Sequence, residues 1–558
     1  MGMVMEKIWL KHYPLHVPEQ IDLHQYQSLV DLFEQSCRQY THLPALQNYG
    51  EQLTFQELDL STQALAAFFQ QVLRLKVGTR VAIVLPNCLQ YPVALFGILR
   101  AGLCVVNINP MYTADEVNYL LVDAKPEAAI VFANVAHTVA KAIANTSVKH
   151  IIVTELGDLF PAPKRWLFNG AIKYIKRLIP EYHFTQSCSL RQGIARGKKL
   201  TLQTVTLTQN DLALLQYTGG TTGKPKGAML THGNLLANVL QAYAWMKPVL
   251  KPTEEIAVTP LPLYHIFSFT ANCLMFLLLG CLNVLITDPR DTKSFCQTLA
   301  KIPFTVITGV NTLFNSLLHS PAFSQLNFSQ LHLCVGGGMS IQRWVAEQWY
   351  KVTGCFILEG YGLTEASPIV TINPITLTEY NGSIGMPLSS TEVSIRDIEA
   401  NELGIDQPGE LWVRGPQVMQ GYWQNPEETA NVLTADGWLR TGDIATINEQ
   451  GFIRIVDRMK DMILVSGFNV YPNEIEATLI SHPKVMEVGV VGEVSRSGQE
   501  MVSAYIVKRE ADLNVPEVLE FCREHLAAYK VPKKVTFVDV LPKSHVGKIL
   551  RRELSKSA

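Results

Sequence analysis

RVAIVLPNCLQYPVALFGILRAGLCVVNINP, from Arg80 to Pro110, reads as a buried strand, a turn at Pro86 and Asn87, an apolar helix and a second buried strand. Strands that are apolar on both faces, joined through a helix, are the pattern of a βαβ unit in a covered parallel sheet. Strand-like runs return at Ala128 to Phe132, His150 to Thr154 and Phe304 to Thr308. The fold class is therefore α/β, a mostly parallel sheet flanked by helices. Ligands of such sheets gather at the carboxyl ends of strands. Two glycine-rich runs stand in such places. One follows Leu212 to Tyr217, and the other, Gly336 to Gly338, follows the apolar start of LHLCVGGGMS.

The first of these runs is YTGGTTGKPKG, Tyr217 to Gly227. Gly219, Gly220, Gly223 and Gly227 permit positive φ and close backbone approach, so amide N–H groups can face phosphate oxygens. Thr218, Thr221 and Thr222 add hydroxyls, and Lys226 adds a point charge. The run is not a Walker A loop, because Pro225 follows Lys224 where a hydroxyl residue is required. Glycine and threonine also compose flexible linkers, so the other motifs decide.

At 558 residues and 47% hydrophobic content the chain calls for at least two domains with ample core. A net charge of −2 argues against nucleic acid. Ten singly scattered cysteines fit reduced thiols of a cytoplasmic protein and suggest no structural zinc. The start, MGMVMEKIWLKHYP, has no secretory apolar core, and Glu6 does not suit N-myristoylation. The uncharged stretch Ile256 to Thr287 is long enough to span a bilayer. Pro260, Pro262, His265, Asn272 and Asn283 interrupt it, so it reads as strand, loop, helix and strand in a core.

After roughly Arg414, short segments such as ELWVRG, GWLRTGDI and FIRIVD suggest a β-rich subdomain. A boundary near Arg458 divides the chain into 1–457 and 458–558. The second part reads as an α+β lid: helix Pro472 to Ser481, strands Val485 to Val491 and Val502 to Lys508, and helix Val515 to Ala527. Lys164 to Phe184 reads as a basic amphipathic helix, with Trp166, Leu167, Phe168, Ile172, Ile175 and Leu178 set against Lys173, Lys176 and Arg177. Such a helix suits either an anionic bilayer surface or the protein's own core.

The phosphate loop is followed by EGYGLTEASP (Glu359 to Pro368), DGWLRTGDI (Asp436 to Ile444), VDRMKDMILVSGFNVYPNEIE (Val456 to Glu476) and LPKSHVGKILRREL (Leu541 to Leu554). In this order the motifs resemble the adenylate-forming acyl-CoA synthetase family over nearly the whole chain. Asp436 to Lys460 is similar to the signature of its fatty-acyl branch, and the wording is close to the bacterial long-chain enzymes. The resemblance implies a large domain of β/α subdomains with a small β-rich one, and a mobile C-terminal lid. It implies ATP, CoA and a long-chain fatty acid as substrates, with Mg²⁺. A peripheral contact with the inner face of the cell membrane and a homodimer are compatible with it.

By the same resemblance, Lys548 is the adenylation lysine. Glu365 and Thr218 are the metal residues, and Thr364 is the α-phosphate contact. Tyr217, Gly219, Gly220, Thr221, Thr222, Gly223 and Lys226 bind the nucleotide together with Gly337, Gly338, Glu359, Gly360, Tyr361 and Gly362. Asp443 anchors the ribose with Arg458, and Lys460 is the hinge. His265 stands near the acyl and thiol tunnels, and Gly467 lines the path of the pantetheine arm. Leu464 and Met459 depart from residues common in relatives. A ligase for carrier proteins or for aryl or shorter acids remains an alternative activity. A non-catalytic binder would have no need of Lys548 and a hinge, and a transporter would need spans.

Overall fold

A computed structural model describes residues 7–218, 224–465, 468–494, 500–543 and 549–554. Among them, seven strands form a sheet in the order Ser187–Ser189, His150–Thr154, Ala128–Phe132, Arg80–Val84, Cys104–Asn107, Leu212–Thr218 and Lys226–Thr231. Every neighbouring pair is parallel except the last, which is antiparallel. Arg80 pairs with Cys104 across the unit quoted first, and helix Gln90–Arg100 between them is buried at every residue. A second layer of helix explains that burial. Helix Phe55–Ala67 lies so close that a Cβ on Gly97 would sit 2.8 Å from Leu65 Cδ2.

A nine-stranded sheet stands beside the first. Its parallel centre runs Pro44–Asn48, Leu282–Leu285, Ile256–Thr259, Val306–Gly309, Leu333–Gly336 and Ile357–Gly362, with antiparallel strands at both edges. The uncharged stretch supplies two of these strands, with helical turns Ile266–Leu278 between them in the core. No helix among the described residues is long and apolar enough to cross a membrane.

The β-rich subdomain is a four-stranded antiparallel sheet, Glu392–Arg396, Gly409–Arg414, Leu439–Ile447 and Ile453–Arg458. It begins before the expected Arg414. Its first strand, EVSIR, is a short edge strand that carries little signal until it pairs with Gly409–Arg414. Beyond it lie helix Pro472–Ile480, strands Val485–Val494 and Glu500–Lys508, and helix Val515–His525, around a core that includes Ile475, Val490, Ile506 and Val518. Two features join these elements: strand Lys534–Phe537, parallel to Glu500–Lys508, and a hairpin of Ile463–Val465 with Phe468–Val470.

The amphipathic segment is shorter than expected. Helix Ala162–Gly170 starts with Pro163 in its first turn and widens into a π turn, Ala171–Ile175. Arg177 then takes a left-handed φ of 51°, and Pro180 follows, so no helix reaches Phe184. Ile172 is buried and Phe168 is partly so, whereas Trp166, Leu167, Tyr174 and Ile175 are each more than two-thirds exposed.

Candidate active site

The carboxyl ends of both parallel sheets open on one cavity of about 2750 Å³, whose walls include Thr218, Gly337, Glu365 and Asp443 from the large domain and Ile549 and Arg551 from the small one. Thr218 pairs in register with Lys226 on the antiparallel strand that returns from the glycine loop. Between them, Gly219, Gly220, Thr221, Thr222 and Gly223 lie outside the described residues. Gly227 differs from its expected role. It is not at positive φ but lies in strand Lys226–Thr231, where a Cβ would come within 3.1 Å of the Tyr217 ring. The Tyr217 hydroxyl donates to Asp123 Oδ2 at 2.5 Å, which ties the loop's first strand to helix Ala114–Ala124. Burial, with Asp123 beside it, pushes the Tyr217 phenol far up.

Strand Ile357–Gly362 brings the next group. Glu359 is buried, accepts the Ile341 N–H at 3.0 Å, and has its carboxyl pushed up to about 8 by loss of hydration. A Cβ on Gly337 would stand 3.1 Å from the Gly360 carbonyl, and Gly338 has a left-handed φ of 76°. These strand ends therefore present bare backbone to the cavity, where a flat ring system can lie. The Tyr361 hydroxyl donates to Asp443 Oδ2 at 2.6 Å, and Arg458 Nε stands 3.2 Å from Asp443 Oδ1. Asp443 and Arg458 are register partners on adjacent strands, so the sheet itself fixes this triad.

After Gly362 and Leu363 the chain makes a single turn, Thr364–Ala366, directing Thr364 and Glu365 to the cavity. Glu365 Oε1 accepts the Tyr422 hydroxyl at 2.7 Å. The Thr218 hydroxyl and the Glu365 carboxylate are hard oxygen donors on one cavity, a set that suits magnesium completed by water and phosphate oxygens. No group of three or more His, Cys, Asp or Glu is poised for a metal among the described residues, and a phosphate-bridged magnesium needs only one or two carboxylates.

His265 also lines the cavity. Its Nδ1 accepts the Phe267 N–H at 3.3 Å, and burial lowers its pKa to about 4, so the ring is neutral near pH 7. Lys460 is exposed on the turn Met459–Asp461 that leaves the last strand of the large domain. Lys548 and Gly467 lie outside the described residues. The residues that follow Lys548 reach the cavity. Arg551 binds Asp457 Oδ1 at 3.1 Å, Asp461 Oδ2 at 3.1 Å and Glu476 Oε2 at 2.8 Å.

Three residues in or beside the site were not legible as such: Tyr422 and Arg551 line the cavity, and Glu428 contacts Lys226. Tyr422 and Glu428 belong to GYWQNPEET, where Asn425 capping the Glu428 N–H and Pro426 opening a helix read as ordinary helix-start signals. Arg551 reads as one of several cations in a basic tail.

The family model for AMP-binding enzymes matches residues 33–423, and the model for the AMP-binding enzyme C-terminal domain matches 474–548. The chain belongs to the AMP-binding enzyme family. It is 54% identical to a long-chain-fatty-acid–CoA ligase of Escherichia coli O157:H7 over 99% of both chains. It is 38% identical to a long-chain-fatty-acid–CoA ligase of Bacillus subtilis, covering 99% of this chain and 98% of the other. Among solved structures, ATP-bound MatB from Rhodopseudomonas palustris is 27% identical with a TM-score of 0.82, covering 95% of this chain and 98% of that one. The large domain of two sheets with its β-rich subdomain, followed by the small α+β domain, is thus the adenylate-forming enzyme fold.

Proposed function

We infer that this chain is an ATP-dependent long-chain fatty acid:CoA ligase. The observation that carries the reading is the 54% identity over the full length, supported by described motif residues such as Thr218, Gly337, Glu365 and Asp443 that line one cavity. In the first half-reaction a fatty-acid carboxylate oxygen attacks the α-phosphorus of ATP, giving acyl-AMP and pyrophosphate. In the second, the CoA sulfur attacks the acyl carbonyl carbon, and AMP leaves with the bond electrons. Two anions must first meet, so catalysis is mostly positioning and charge neutralisation.

The glycine loop, Thr218 and Lys226 take the phosphates, and Thr364 takes the α-phosphate. The bare backbone at Gly337 and Gly360 receives adenine beside Tyr361. Asp443 accepts from the ribose hydroxyls while Arg458 holds its other oxygen. Thr218 and Glu365 hold magnesium, which neutralises phosphate charge when bound. Lys548 places its ammonium between carboxylate and α-phosphate. With the domain boundary at 457/458, rotation about Lys460 withdraws Lys548 and brings the segment around Gly467 to the pantetheine arm. His265, neutral, borders the acyl and thiol path. Each buried methylene of the tail adds about 0.8 kcal/mol.

The reading places the enzyme in the cytoplasm, supplying acyl-CoA to β-oxidation. The exposed Trp166, Leu167, Tyr174 and Ile175 beside Arg165, Lys173, Lys176 and Arg177 support a peripheral contact with an anionic membrane, where fatty acids partition. Flotation with anionic vesicles tests that contact: making Lys173, Lys176 and Arg177 acidic should release the protein, and undiminished binding would remove this segment from the account. The activity is tested with a panel of C4 to C18 acids, ATP, Mg²⁺ and CoA, with mass detection of acyl-AMP and thioester. Long acids should give both products in the presence of CoA and only acyl-AMP without it. Thioester formation confined to short or aryl acids would overturn the substrate class.

A further inference from the structure

The segment Met419–Trp423 runs antiparallel beside strand Lys226–Thr231, with a single bridge of Tyr422 to Ala228. Met229 N–H donates to the Gly421 carbonyl at 2.9 Å, Gln420 N–H to that of Met229 at 3.1 Å, and Trp423 N–H to that of Gly227 at 2.8 Å. At its start, Met419 N–H donates to the Glu365 carbonyl at 2.8 Å. This backbone fixes Tyr422, which is buried, between the end of the phosphate loop and the turn that carries Glu365. The Lys226 ammonium lies 5.3 Å from the Tyr422 ring centroid, and the Tyr422 hydroxyl donates to Glu365 Oε1 at 2.7 Å. On the other side, the Lys226 ammonium is in direct contact with Glu428 Oε2. Thr429 Oγ1, accepting the Tyr422 N–H at 2.9 Å, and Asn425 Oδ1, accepting the Glu428 N–H at 3.2 Å, hold the two residues in relation to each other.

Glu428, Lys226, Tyr422 and Glu365 thus form one chain of contacts, of which Lys226, Tyr422 and Glu365 line the cavity and Glu428 stands behind Lys226. We propose that Glu428 and Tyr422 are positioning residues of the nucleotide site, linking Lys226 and Glu365 in an arrangement that the triphosphate must open by drawing Lys226 from Glu428. The inference rests on the ATP-dependent reading above. Two effects act in the same direction. Glu428 competes with phosphate oxygens for the Lys226 ammonium, and its own charge repels an anion entering beside it. The Lys226 and Glu428 side chains are only 17% and 33% exposed, so water screens the pair less than it would on the open surface. Tyr422 acts on the other end, since its hydroxyl aims the Glu365 carboxylate and its ring supports the ammonium.

The test is equilibrium binding of ATP to the full chain, followed by tryptophan fluorescence, alongside pyrophosphate release with palmitate. Glu428→Gln should tighten ATP about fivefold, a coupling of about 1 kcal/mol, while Glu428→Asp stays within about twofold of the parent. Lys226→Gln should weaken binding, and adding Glu428→Gln to it should bring no further tightening. If Glu428 only pins the helix Pro426–Val432, Glu428→Gln would lower the melting temperature without tightening ATP. That result, with a parent that still binds ATP and makes acyl-AMP, overturns the proposal and leaves the ligase reading standing. A parent that binds no ATP overturns both. Should Glu428→Gln not fold, Tyr422→Phe decides. It should lower kcat for pyrophosphate release about tenfold and raise the magnesium concentration needed for half-maximal rate, with little change in ATP affinity. Parent-like kcat and magnesium dependence would overturn the proposal.

Discussion

Asp443 and Asp457 stand on neighbouring strands of the antiparallel subdomain, where Asp443 pairs with Arg458 and Ile444 with Asp457. Both are buried, yet their partners differ in origin. Asp443 is held by Tyr361 and by Arg458, which ends the neighbouring strand Ile453–Arg458, and borders the cavity. Asp457 accepts N–H groups from Arg458 and Asn473, both at 2.7 Å, and receives Arg551 from the far end of the chain. Neighbouring strands thus carry the proposed anchor for the ribose, Asp443, and the contact with the small domain, Asp457. Parting a buried charge from its partner is costly, so the second anchor favours the present lid position.

The largest effect is expected at Asp443. Asp443→Ala removes the proposed acceptor for the ribose hydroxyls and takes from Tyr361 and Arg458 their shared carboxylate, at about 3 kcal/mol, so kcat/KM for ATP should fall roughly 100-fold. Steady-state kinetics with ATP as the varied substrate measures it. Asp457→Asn should leave the KM for ATP within about twofold and lower thioester turnover about tenfold, because Arg551 keeps Asp461 and Glu476 but the lid loses its contact with the large domain's last strand. Equal losses of ATP affinity in the two variants would erase the distinction between the anchors.

Glu359 is a third buried carboxylate, and it forms no ion pair among the described residues. Its folded pKa of about 8 lies above the ordinary 4.5, so the folded state holds the proton more tightly. That contribution is complete below pH 4.5 and is lost as pH rises toward 8. Glu359→Gln keeps an oxygen for the Ile341 N–H and cannot ionise. Its melting temperature should exceed the parent's by a few degrees at pH 8 and by less at pH 6, as followed by thermal unfolding at both pH values. A parent curve parallel to that of the variant across this range would contradict a protonated Glu359.

The parallel sheets were legible because runs such as RVAIV and AAIVF are apolar on both faces and bounded by turns, a signal that survives without knowledge of their partners. Helices Pro472–Ile480 and Val515–His525 and strands Val485–Val494 and Glu500–Lys508 were legible from local apolar patterns of their own. What escaped depends on distant pairing. Strand Lys534–Phe537 is only partly buried along its length and exists through its parallel partner Glu500–Lys508. The amphipathic pattern ran on past Ile175, but Arg177 and Pro180 end the helix locally. In the site, Asp443, Arg458 and Glu365 could be carried over from motifs. Tyr422 and Glu428 could not, since their meaning comes from contacts with Glu365 and Lys226 in remote segments.

Under the ligase reading, the small domain serves adenylation through one lysine and thioester formation without it. The rate of each half-reaction, taken separately in Lys548→Ala, tests this division of labour. Acyl-AMP formation from palmitate and ATP should fall by about three orders of magnitude or more, as expected when a charge aimed at the transition state is removed. Conversion of supplied palmitoyl-AMP and CoA to thioester should stay within a few-fold of the parent. Adenylation at the parent's rate, or loss of both half-reactions to the same degree in a folded variant, would contradict the claim.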